Sequence, residues 1–208
     1  MTEVLIVAAA FLFIALKFMS LSSTHKGRKG EKDVRRRLRR LCRKGGYRLM
    51  NDIYIRSCGK ESQIDHVLIG KAGIFVIETK NYQGTITGDE NDEEWTQELD
   101  REYTFYNPVR QNRGHIRALK NLLDGICPDY CYHSIVVFPS STCLCVGTDK
   151  AVELGEMNKR IKSFKYDNLS AEQMDCIESV IRNANIVSKK ERKEHVRRIR
   201  KEFKKSCR

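Results

Sequence analysis

Residues Gln63–Lys80 read QIDHVLIGKAGIFVIETK, and the rest of the chain is arranged around them. Two apolar, β-branched runs, Ile64–Ile69 and Ile74–Ile77, are separated by Gly70-Lys71-Ala72-Gly73, the signature of a β-hairpin. An even-membered turn pairs Gly70 with Gly73 and Val67 with Val76. It therefore sets Asp65 opposite Glu78 and Gln63 opposite Lys80. Side chains alternate along a strand, so Asp65 shares a face with Val67 and Ile69, and Glu78 with Lys80. Adjacent carboxylates repel, and a hard divalent cation is the usual reason to hold them together. Mg²⁺ needs only one or two from the protein. A lysine two residues on can orient a water or stabilise developing phosphate charge. An edge hairpin with solvated acids at its ends is the competing reading.

The 208 residues carry a net charge of +12, spread unevenly. Residues 25–48 hold twelve Lys/Arg against Glu31 and Asp33, and residues 189–208 hold eleven against three glutamates. Those two arms exceed the total, so the chain between them is acidic, as a cation site requires. Basic arms suit nucleic acid or the anionic face of a membrane. The eight cysteines include no C-x-x-C. Cys127-x3-Cys131 and Cys143-x-Cys145 lack an accompanying His pair, and burial as small apolar residues is the expectation.

Val4–Leu21 is apolar except for Lys17. As a helix it rises about 27 Å, enough to cross a bilayer core, and His25-Lys26-Gly27-Arg28-Lys29 follows at once. The reading is a single-pass anchor with the following domain in the cytoplasm. A cleaved signal peptide and a buried core helix compete with it. Met1-Thr2-Glu3 lacks the positive charge of a signal n-region, and Ser20-Leu21-Ser22 is a poor cleavage site.

Gly27 to Lys44 reads as a helix with Val34, Leu38 and Leu41 on one stripe and Glu31 on the same inward face. Tyr47–Ile55 has strand composition, as do Gly84–Thr87 and the segment starting at Trp95. Asn107-Pro108 opens a helix whose inward face carries Gln111, His115, Ala118 and Leu122. His115 reads as a packing or phosphate-facing residue rather than a base. His133–Phe138 is a buried strand, and Cys143–Val152 adds one or two more. Ser170-x-x-Gln173 is a capping box opening a helix with Met174, Ile177, Ile181 and Ala184 inward. Ser188-x-x-Glu191 caps a basic final helix.

Together, Gln63-Ile64-Asp65-His66 and Gly73-Ile74-Phe75-Val76-Ile77-Glu78-Thr79-Lys80-Asn81 resemble the nuclease-related (NERD) domain of the PD-(D/E)XK nuclease superfamily. Gly27-x-x-Gly30-Glu31-x-x-Val34 and Asn107-Pro108-x-x-Gln111-Asn112 extend the resemblance, which spans residues 27–138. It implies an α/β fold, a restriction-endonuclease-like mixed sheet flanked by helices. It also implies a Mg²⁺- or Mn²⁺-dependent nuclease acting on DNA. Asp65, Glu78 and Glu31 would hold metal, Lys80 would position water or stabilise phosphate, and Gln63 and Gln111 would orient phosphate or Lys80. The expected organisation is an anchor at 1–21 and a basic, glycine-containing linker at 22–30. The nuclease-like domain spans 27–138, its extension 139–187 and a basic tail 188–208. A membrane-tethered, non-catalytic module that binds nucleic acid or a partner is the alternative.

Overall fold

The computed structural model describes residues 29–57 and 59–186. The expected anchor at 4–21 and basic tail at 188–208 lie outside them. Among the described residues, no helix is long and apolar enough to cross a membrane.

The Gly70–Gly73 hairpin joins β2 (Lys60–Gly70) to β3 (Gly73–Thr79) in the predicted register, with Gly70 beside Gly73, Val67 beside Val76 and His66 beside Ile77. Glycine is required at 73: its φ is +138°, and a Cβ there would lie 2.1 Å from the Cys131 carbonyl oxygen. β1 (Tyr47–Ser57) pairs antiparallel with β2. β7 (Tyr132–Phe138) runs parallel to β3 on its other side, and β9 (Ala151–Glu153) runs parallel to β7. The resulting five-stranded mixed sheet has the order β1-β2-β3-β7-β9. β3 is central and covered on both faces, which explains its unbroken apolar run.

One face of this sheet is covered by α1 (residues 29–42) and α3 (Met157–Ser163). Val34, Leu38 and Leu41 pack there against Leu68, Phe75, Ile77 and Val137. The other face is covered by α2 (Pro108–Leu122) and α4 (Ala171–Ala184). Here Ala118, Leu119, Met174, Ile177 and Ile181 meet Val67, Ile69, Ile74 and Val76. The helix starts expected at Asn107 and Ser170 hold, and that expected at Ser188 lies outside the described residues. Asn107 Oδ1 accepts from the Val109 and Arg110 amides, and Ser170 forms the full capping box with Gln173.

The family resemblance implies one mixed sheet; the described residues form two. β4 (Gly84–Asp89), β5 (Glu94–Glu98), β6 (Glu102–Tyr106) and β8 (Thr142–Gly147) form a second sheet in the order β6-β5-β4-β8. Its inner face packs Ile86, the wholly buried Trp95 and Phe105 against Val136 and Phe138. β6 and the short α3 are additions to the reading, because each has few buried residues with which to mark itself. The residues after Phe138 belong to this same fold: β8 pairs with β4, β9 with β7, and α4 closes one core.

Two further expectations fail. Cys143, Cys145 and Cys176 are exposed, while Cys127 and Cys131 are buried. The simple alternation of β2 also breaks. Ile64 and Val67 are three residues apart yet enter the same core, and opposite them Asp52 has a φ of +57°. The distortion falls at Asp65.

Candidate active site

Glu78 is the last β3 residue on the α2 face before the strand ends, and it is 4% exposed. A carboxylate that deep must be answered by donors, and three supply the answer. Its Oε1 lies 2.9 Å from Lys80 Nζ and accepts from Gln111 Nε2 at 2.9 Å. Its Oε2 lies 3.4 Å from His115 Nε2. Lys80 also donates to Gln111 Oε1 at 2.8 Å. One amide on α2 thus bridges the acid and the base, fixing both.

The segments carrying these side chains are anchored by their neighbours in sequence. Asn107 caps α2 and also donates to the Asp89, Glu90 and Asp92 carbonyls, tying the helix to the acidic turn between β4 and β5. Asn112, buried beside Gln111, donates to the Val76 carbonyl at 2.8 Å and to Ser134 Oγ at 2.9 Å. The Asn-Pro-x-x-Gln-Asn run is therefore one cap, one site residue and one strand clamp. Gly30 does similar work for α1: a Cβ there would sit 3.0 Å from that of Asn81, just past Lys80.

Asp65 reaches this cluster from β2, and its Oδ2 accepts from the Thr79 amide at 2.9 Å. Burial and then the charge of Glu78 push its carboxyl well above the usual range, with Glu31 adding to the effect. The Thr79 amide and Lys80 oppose it. Burial pushes Glu78 upward too, but His115 and Lys80 outweigh it and hold its carboxyl below the usual range. Burial disfavours the Lys80 ammonium, yet Glu78 raises its pKa above the ordinary lysine value. Two neighbouring carboxylates are thus driven apart in acidity, a recurrent property of catalytic pairs.

Of the six residues singled out from sequence, four meet here: Asp65, Glu78, Lys80 and Gln111. Glu31 is exposed rather than on the packed face of α1, although its charge is felt at Asp65. Gln63 is turned elsewhere. It pairs with Tyr54, and its amide points to Asp52 Oδ1 at 3.4 Å. The expected Asp65–Glu78 and Gln63–Lys80 strand pairings both fail because the β2–β3 ladder stops at His66–Ile77, and Asp65 meets the Thr79 amide instead. The end of β3 instead stays with β7, where the Lys80 amide donates to the Val137 carbonyl.

His115 is the residue whose place beside Glu78 the sequence reading did not reach. Its spacing from Gln111, four residues along one helix, was the available signal. His66 is also near. It is 2% exposed, its Nδ1 is 2.8 Å from Asn51 Oδ1, and Nε2 has no partner. Burial, aided by Arg35, pushes its pKa down to about 4.

The profile of the nuclease-related domain (NERD) family matches residues 26–139, within one residue at each end of the stretch that resembled it. The chain belongs to the NERD family. All four clustered residues lie inside the matched segment, while β8, β9, α3 and α4 lie beyond it. The NERD chain is also 32% identical over 210 residues to an uncharacterised protein of Bacillus anthracis. The match covers 97% of this chain and 98% of that one. No solved structure matches the chain.

The donor set suits a hard cation. Asp65, Glu78 and Glu31 offer oxygen ligands, and Mg²⁺ takes one or two carboxylates and keeps its remaining waters. Burial first, and then the Glu78 charge, disfavour the ionised form of Asp65, and a bound cation would favour it. Among the described residues, no group of three or more His, Cys, Asp or Glu side chains is drawn close enough to hold an ion unaided. If an ion binds here, Asp65 and Glu78 are the carboxylates that would hold it, with the Glu31 charge acting on Asp65 from farther off.

Proposed function

We propose that this protein is a membrane-anchored nuclease that hydrolyses DNA phosphodiester bonds with Mg²⁺ or Mn²⁺, on a restriction-endonuclease-like core. The observation that carries the reading is the position of Lys80. Its ammonium is mostly buried, held by Glu78 and Gln111, beside two carboxylates of unequal acidity. Asp65 and Glu78 would hold the metal, with Glu31 assisting. A bound ion supplies charge neutralisation at the phosphate and acidifies a water. Lys80 keeps a positive charge within reach of the attacked phosphate, and Gln111 fixes where that charge sits. His115 holds the far oxygen of Glu78, so the carboxylate presents a defined edge. The basic segment around residues 25–48 and the basic tail would draw in a polyanion, and residues 4–21 would hold the domain at the cytoplasmic face of the membrane.

The alternative, a tethered binding module without chemistry, has one specific observation in its favour. Glu78 is already engaged by Lys80, Gln111 and His115, so a metal must displace or share those partners. Calorimetric titration with Mn²⁺ tests the reading. The native protein should bind, and Asp65→Asn and Glu78→Gln should each bind at least roughly tenfold more weakly. Undiminished affinity in both variants would refute the metal assignment. DNA binding without metal binding would establish the tethered module instead.

A further inference from the structure

A second cluster of side chains that can ligate a metal lies outside the nuclease-like site. In β8, Leu144 and Val146 turn toward the core around Trp95 and Phe138, which leaves Cys143 and Cys145 on the outward face. Both are exposed, and their Sγ atoms are 3.9 Å apart. β8 is an edge strand of the second sheet. On its paired side, Thr85 and Thr87 of β4 stand beside the two cysteines. The outward row continues across β5 and β6 through threonines to Glu98 and Glu102. No Lys or Arg stands in that row, and Glu153 of β9 adds negative charge at Cys143.

We propose that Cys143 and Cys145 form a two-thiolate clip for a soft divalent cation of the zinc and cadmium class. Zinc–thiolate bonds of about 2.3 Å at tetrahedral angles separate two sulfurs by roughly 3.8 Å. The observed 3.9 Å meets that separation. A disulfide is the less suitable outcome. Same-face neighbours on an extended strand stand about 6.7 Å apart, at the limit of what a disulfide spans, with their Cβ atoms parallel rather than converging. The two thiols come free of core packing, and each releases its proton to solvent when it binds. Among the described residues, no third His, Cys, Asp or Glu completes the set. The remaining coordination positions are therefore left to water, and the ion is exchangeable. Cys143 and Cys145 are one close pair of cysteines in the sequence, and Cys127 and Cys131 are another. The fold separates the pairs, burying the latter in the core under α2 and α4.

The test uses the full-length reduced protein without oxygen, with Cd²⁺ as the probe. A thiolate-to-metal charge-transfer band should appear. Cys143→Ser and Cys145→Ser should each weaken Cd²⁺ binding at least roughly tenfold, and Cys176→Ser, at an exposed cysteine on α4, should leave it unchanged. A second measurement needs no variant: saturating Cd²⁺ should protect Cys143 and Cys145 of the native protein from alkylation while Cys176 continues to react. Undiminished binding in both serine variants, or unchanged alkylation at 143 and 145 under saturating Cd²⁺, would overturn the proposal.

Discussion

Asp65 and Glu78 should respond to neutralisation with opposite signs. Glu78 and Lys80 form a buried pair, with side chains 5% and 17% exposed and 2.9 Å between charged atoms. Glu78→Gln keeps the shape but leaves the Lys80 ammonium without its main counter-charge. Removing one partner of a buried ion pair costs about 3–5 kcal/mol. The lower end, about 3 kcal/mol, applies because Asp65 still attracts Lys80. For a protein of this size that corresponds to a drop of roughly 6–12 °C in Tm. Asp65→Asn removes a charge that burial, Glu78 and Glu31 all disfavour, and an amide oxygen can still accept from Thr79. Its midpoint should rise. The double variant should be less stable than the sum of the singles, since Lys80 then faces no acid at all. The assay is urea and thermal unfolding at neutral pH in the presence of a chelator. An unchanged or stabilised Glu78→Gln, or a destabilised Asp65→Asn, would refute the assignment of ion pair and strained acid.

Other outcomes follow from the same geometry. Asn107→Ala removes the α2 cap and three hydrogen bonds to the acidic turn, and should cost about 2–4 kcal/mol, read by urea unfolding. His66 has a folded-state pKa of about 4 against an ordinary 6.5. The unfolded chain therefore takes up the proton first, and the stability His66 contributes is complete above about pH 6.5 and lost as pH falls toward 4. The loss reaches roughly 3 kcal/mol. His66→Gln keeps a donor for Asn51 and should flatten that part of the acid limb when unfolding is followed from pH 7 to 4. Gly73→Ala forces a side chain into the Cys131 carbonyl at a φ of +138°. It should cost several kcal/mol in urea unfolding, at the upper end of what single substitutions do.

Much of this arrangement was legible because it rests on local chemistry. The hairpin register followed from two glycines bounding a two-residue turn, and the α2 start from Asn107-Pro108. The inequivalence of the acids was not legible. From sequence they are like charges on facing strands, and only the approach of α2 brings Gln111 and His115 to Glu78 while leaving Asp65 with a backbone amide. Gln63 misled for a related reason. Strand pairing persists only while both partners lack a better neighbour, and the end of β3 has one in β7. The exposure of Cys143 and Cys145 was written in their alternation with Leu144 and Val146, but choosing the inward face needed the existence of the second sheet. β6 left little trace, since Phe105 is its one residue packed into a core.

Lys80, set between Glu78 and Gln111 beside Asp65, is proposed to serve a metal-dependent phosphodiester-cleaving site. The direct measurement is cleavage of single- and double-stranded DNA by the native protein and by Lys80→Ala, each with Mg²⁺, with Mn²⁺ and with chelator. Native protein should cleave only with metal, and Lys80→Ala should fall by roughly 100-fold or more while DNA binding persists. Metal-dependent cleavage that survives unchanged in Lys80→Ala, or no cleavage by a native protein that binds both metal and DNA, would rule out this role for Lys80.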